Sequence, residues 1–321
     1  MHTRILAAVG VAALIVTAAT ATGTTILVSS THSVATASVS SPGAAVNTTG
    51  FPSGGANPGI FTDTCRLSTT APNDPILMPG MTGSSMQHDF FGNVSPGATI
   101  TPAKITGGAT NCTTSADSSS YWTPALYQNG VAMKPTTTLI YWRAQTATAS
   151  AVKAMPAGIT MIAGNEAAET PQNARVIGWT CSGQNQGRLT SQPHDCATGD
   201  IRLVATFPNC WDGHTLDGHT QKNVEYATAA GCPAGYPVQI PQVVMHVSYP
   251  TSTASHLTLS VGPTKQGSLL TGHADFMDGW NQSLMTADTA ACIATRMRCG
   301  PVSGPTAVPA GGKPAIAATN G

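Results

Sequence analysis

Eight cysteines constrain this chain more than any other feature: Cys65, Cys112, Cys181, Cys196, Cys210, Cys232, Cys292 and Cys299. An even number suits complete pairing in an oxidising compartment, and no Cys-x-x-Cys spacing points to zinc or thiol exchange instead. Spacing alone leaves the connectivity open. Pairing in sequence order, Cys65–Cys112, Cys181–Cys196, Cys210–Cys232 and Cys292–Cys299, is expected because each bridge then staples a local loop. Long loops are needed, since 33 glycines and 23 prolines interrupt the 321 residues.

The N-terminus agrees with export. His2 and Arg4 precede an uncharged apolar run, Ile5 to Val16, followed by small residues, which is the plan of a secretory signal. Cleavage is expected after Ala21 or Ala37, an uncleaved anchor being the alternative, and residues 1–37 are read as the signal. Residues 38–60 and 300–321 are Ser/Thr/Ala/Gly/Pro-rich and too poor in bulky apolar groups to offset ordering entropy, so they read as disordered linker and tail. Residues 61–299 are then one domain. The expected localisation is extracellular, with no stable membrane insertion once the signal is removed.

Within 61–299, short β-branched or aromatic segments bounded by Pro, Gly or Asn read as strands: Thr137–Arg143, Arg175–Trp179, Ile201–Phe207, Gln242–Tyr249 and His256–Val261. Helical periodicity is credible only from Ser283 to Ala294. The expected fold is mainly β, a β-sandwich or jelly-roll-like single domain with long disulfide-stapled loops and one or two short helices. Fourteen Lys and Arg against fourteen Asp and Glu give no net charge. No basic patch is visible, which argues against nucleic acid and anionic membranes and for a neutral partner.

In so uncharged a chain, three polar clusters stand out. They are His273-Ala-Asp275-Phe-Met-Asp278-Gly-Trp280, Ser85-Met-Gln-His88-Asp89-Phe-Phe-Gly-Asn93 and Cys210-Trp211-Asp212-Gly-His214. Together with Asp74-Pro75-Ile76, Tyr121-Trp122-x-Pro124, Tyr141-Trp142-Arg143 and Cys232-Pro233, their ordered succession resembles domain-of-unknown-function family 1996 over residues 61–295. The resemblance implies a secreted protein of the kind found in actinomycetes and fungi, some fungal members being joined to carbohydrate-binding modules. As the family's name says, it carries no defined activity. Two departures are visible: Met86 stands where the pattern has a histidine, and Asn223 falls in an element that otherwise carries another. His214 and His219 are the nearby substitutes.

Three chemistries compete for these residues. Glycan hydrolysis needs two carboxylates roughly 5–10 Å apart and aromatic platforms for sugar rings. His88, Asp89, Asp212, His273 and Asp275 are the catalytic candidates, with Asp278 and Glu225 behind them. Trp122, Trp142, Trp211 and Trp280 are the candidate sugar-binding faces, for a neutral extracellular or cell-wall polysaccharide. A metal enzyme would take His88, His273 and one of Asp89, Asp275 or His214, imidazole with carboxylate suiting zinc, iron or copper; otherwise no cofactor is expected. The third reading is a non-catalytic wall-associated protein. A serine hydrolase lacks its nucleophile elbow, because Gly83-Ser-Ser85-Met-Gln87 has no second glycine. A shared pocket expects the His88 and His273 side chains within roughly 10 Å of each other and open to a cleft. The bland alternative is that the aspartates close Asx-turns and the histidines bond backbone carbonyls in the core.

Overall fold

The computed structural model describes residues 59–145, 149–182 and 189–301. The expected signal, nearly all of the expected linker and most of the expected tail lie outside the described residues. Strand structure begins at Ile60 and ends at Pro301, slightly beyond the expected domain limits at both ends.

Two large sheets dominate. The first has six strands in the order Arg298–Pro301, Ile60–Cys65, Thr137–Arg143, Gln242–Ser248, Ile201–Thr206 and Ile177–Cys181. The second has five, Leu67–Ala71, His88–Gly92, Ser120–Pro124, His273–Met277 and Thr160–Gly164. Every pairing within them is antiparallel except that of Ile60–Cys65 with Arg298–Pro301. Two small sheets carry the remaining short strands.

Alternation decides which faces meet. In the six-stranded sheet Ile140 and Trp142, Val243, Met245 and Val247, and Leu203 and Ala205 are buried on one side. They pack against Phe91, Tyr121, Ala274 and Phe276 of the five-stranded sheet in one continuous core. Trp142 and Phe276 touch across the gap with ring centroids 5.5 Å apart, and burying a ring such as Phe276 stabilises by roughly 1.5–3 kcal/mol. The molecule is therefore a sandwich of the expected mainly β class.

The five-stranded sheet is buried on its other face as well. Chain on either side of the His88–Gly92 strand, residues 72–87 and 93–107, forms a covering segment over that face, and its Ile76 and Ile105 form a second core with Phe90, Trp122, Ile162 and Met277. This third layer explains why the strands His88–Gly92, Ser120–Pro124, Thr160–Gly164 and His273–Met277 are buried at every position.

The helical expectation resolves into an α-helix, Gln282–Asp288, capped by the Asn281 side chain accepting from Leu284 N, and a π-helical turn, Thr289–Ile293. A short helix, Pro102–Ile105, sits in the covering segment. Four disulfides join the eight cysteines in sequence order. Among the described residues no helix is long and apolar enough to cross a membrane.

Candidate functional site

The cross-strand register builds the site. His88 pairs with Pro124 on one side of the Ser120–Pro124 strand, and the Asp275–Trp122 register, continued by two residues, brings His273 opposite Pro124 on the other. Residues directly opposite share a face, so the two imidazoles meet on one side of the sheet. Two residues further along, Phe90, Trp122 and Asp275 form the next row of the same face. Asp275 thereby joins the two histidines. Period-two geometry sends the neighbouring residue the other way: Asp89, adjacent to His88 in sequence, lies on the opposite face, where Thr70 Oγ1 donates to its Oδ1 at 2.5 Å.

Each histidine is oriented by a backbone carbonyl. His88 Nδ1 is 2.9 Å from Asn73 O, and His273 Nδ1 is 2.9 Å from Thr271 O. A carbonyl can only accept, so each Nδ1 carries the proton and donates it. In the neutral rings Nε2 then holds a bare lone pair. Those two Nε2 atoms face each other at 3.1 Å. His273 Nε2 is also 3.6 Å from Asp275 Oδ2, beyond hydrogen-bond length. Neither Asp275 oxygen has a hydrogen-bond partner, although the side chain is fully buried.

Two lone pairs aimed at each other beside an unpaired buried carboxylate repel unless a positive charge lies between them. The facing atoms of His88, His273 and Asp275 lie within 4.8 Å of one another. Two imidazoles on one tetrahedral zinc, each roughly 2.0–2.1 Å from the ion, have nitrogens about 3.3 Å apart, close to the separation seen. The donation of Nδ1–H to a carbonyl is the outer support that metal-ligating histidines usually have.

The surroundings add negative charge. Asp74, from the covering segment, accepts from Ile76 N and Leu77 N with Oδ1, while its buried Oδ2 has no partner. Burial holds the Asp74 and Asp275 carboxyls above the usual range; the Asp74 charge and then that of Glu166 raise Asp275 further, and Glu166 adds to the rise at Asp74. Burial pushes His88 down to about 3, the neighbouring His273 adding to the effect, and burial also lowers His273. Without a cation, the ionised state of this group is strongly disfavoured.

The remaining expectations fall elsewhere. His88 and His273 are much closer than a shared pocket requires, but both are enclosed rather than open to a cleft. Asp212 Oδ1 accepts from His214 N and Thr215 N in an Asx-turn. Burial acts to raise its pKa, but the bonds from Thr215 and His214 outweigh it and hold the carboxyl below the usual range. His214 is exposed, and His219 donates Nδ1–H to Ile76 O, so neither replaces a missing ligand. Asn223 is buried and donates to Thr160 O. Asp278 accepts from Gly158 N, Trp280 N and Gln282 Nε2, which makes it a turn-closing group. Trp122, Trp142 and Trp280 are fully buried, and Trp211 is partly buried with Nε1 donating to Thr215 O. The first three offer no ring face to a sugar.

A second acidic cluster brings Asp63 and Asp117 beside Cys65 and Cys112. Its sulfurs are joined in a disulfide, and its carboxylates accept from Thr64 N, Thr114 N, Ser119 N and Tyr121 Oη. It is a satisfied structural pair. Asp74 and Glu166 were not singled out from sequence; the usable signal was the scarcity of carboxylates, with Asp74 inside a recognisable Asp-Pro-Ile element.

No curated protein and no solved structure matches the chain. A family model described as domain of unknown function (DUF1996) matches residues 74–280, more than half of the chain and a span that includes His88, His273 and Asp275, and the chain belongs to that family.

Proposed function

We propose that this is an exported, disulfide-stapled domain that holds one transition-metal dication on His88 Nε2, His273 Nε2 and an Asp275 carboxylate oxygen. The observation that carries the reading is the pair of carbonyl-oriented histidines whose Nε2 lone pairs face each other at 3.1 Å beside a buried carboxylate without a hydrogen bond. Imidazole and carboxylate together suit zinc, copper or iron over magnesium or calcium, which prefer all-oxygen shells. Export is supported by the four disulfides, which persist in oxidising compartments.

With all three ligands enclosed, the ion acts on the fold, neutralising Asp275 and joining two strands across Pro124. Hydrolysis at this centre would require the covering segment to lift, because a catalytic metal keeps a position open to substrate. The buried tryptophans give no support to sugar stacking.

Metal analysis tests the proposal. Protein stripped with chelator and reloaded should retain about one zinc per chain and melt at a higher temperature than the stripped form, since an ion bound only by the folded state stabilises it by mass action. Asp275→Asn, which keeps the side-chain shape and removes the charge, should lose both the ion and the zinc-dependent stabilisation. Wild-type protein that retains no metal and melts identically with and without zinc would overturn the reading.

A further inference from the structure

We infer that Asp74 is the fourth ligand, so that the ion fastens the Pro72–Ser85 part of the covering segment to the sheet and closes the coordination shell. The inference rests on the metal site proposed above. Three protein donors leave one corner of a tetrahedron, and a closed four-ligand shell marks a structural rather than a catalytic ion.

Asp74 is the residue we assign to that corner. The residue before it already touches the site through the bond from His88 Nδ1 to Asn73 O. Its Oδ1 is committed to Ile76 N and Leu77 N, which fixes the turn, and its Oδ2 is buried with nothing to bond. Electrostatic coupling links it to both His273 and Asp275. Asp74 lies outside the set of atoms within 4.8 Å of one another, so coordination draws the segment inward. The turn at 80–83 is the open part of that segment: Met81 is half exposed, and Gly80 and Gly83, both at positive φ, have open space around them. Among its fixed points are Gly80 N to Ala98 O, Gly83 N to Asn73 Oδ1, Ser85 N to Pro72 O and His219 Nδ1 to Ile76 O.

Asp74→Asn separates the possibilities, because the amide oxygen keeps the two turn-closing bonds while the free oxygen becomes a non-ligating NH2. Zinc affinity would be measured by chelator competition, and amide hydrogen exchange of residues 74–85 followed with and without zinc. The expected result is a loss of affinity greater than about 100-fold, beyond the 10–100-fold typical of an outer partner. Zinc should slow exchange of the segment in wild type and not in Asp74→Asn, and Asp74→Glu should recover part of both effects. A loss under 100-fold with zinc protection of the segment retained would overturn the inference while leaving the three-ligand site standing. A wild-type chain that binds no zinc would remove the site and the inference together.

Discussion

His88 and Asp89 show how one peptide bond separates two environments. Both are buried, yet His88 faces the covering segment and Asp89 the opposite side, so their adjacency brings no shared chemistry. The buried acids have a measurable consequence away from the metal ligands. Burial, then the charge of Asp117, pushes Asp63 up to about 8, and burial pushes Asp117 up to about 6, both from an ordinary 3.8. A carboxyl whose folded pKa is raised binds its proton more tightly in the native state. Its contribution to stability is complete below the unfolded pKa and is lost as pH rises through the folded one, here from about pH 4 to about pH 8. Asp63→Asn keeps an acceptor for Thr64 N and Thr114 N and cannot ionise. Urea unfolding at pH 5 and pH 8 should show wild type losing stability over this interval and the variant losing less, by more than about 1 kcal/mol. Equal losses would show that the pair does not set this pH dependence.

Strands differ in how plainly their sequences announce them. Thr137–Arg143 alternates and is found as read, because one of its faces lies against the core and the other is more open. His88–Gly92 and His273–Met277 were not read as strands at all. The six-stranded sheet buries one of their faces and the covering segment the other, so no polar–apolar alternation survives to mark them. The candidate site was legible in its residue types, since His88, His273 and Asp275 stand out in a chain with few charges. Its geometry was not, because register across Pro124 is a property of three strands together. Asp74 was hidden because an aspartate before proline at a turn looks the same whether or not its second oxygen is free. The covering segment lies between Cys65 and Cys112, whose bridge closes a separation of 47 residues. Replacing both cysteines by serine should destabilise the fold by about 4 kcal/mol on the chain-entropy estimate and weaken zinc retention, because Asn73 and Asp74 are then less firmly placed. Chemical unfolding and chelator competition check the two effects. Undiminished zinc affinity in the double variant would show that the bridge does not hold the segment over the site.

Within the domain the sandwich core and the site are made by opposite faces of one five-stranded sheet. Phe91, Tyr121, Ala274 and Phe276 anchor that sheet from below, which fixes the strand spacing on which the His88–Pro124–His273 row depends. The second core of Phe90, Trp122, Ile162 and Met277 flanks the row with apolar groups and keeps water from Asp275. A site so enclosed holds either an ion or a proton shared between the two Nε2 atoms, and the two differ in electron density. Anomalous scattering from crystals of zinc-loaded protein, recorded on both sides of the zinc absorption edge, distinguishes them directly. The prediction is one strong edge-dependent peak roughly 2.0–2.2 Å from His88 Nε2, His273 Nε2 and an Asp275 oxygen; a map without such a peak, with the two Nε2 atoms still in hydrogen-bond contact, would contradict it.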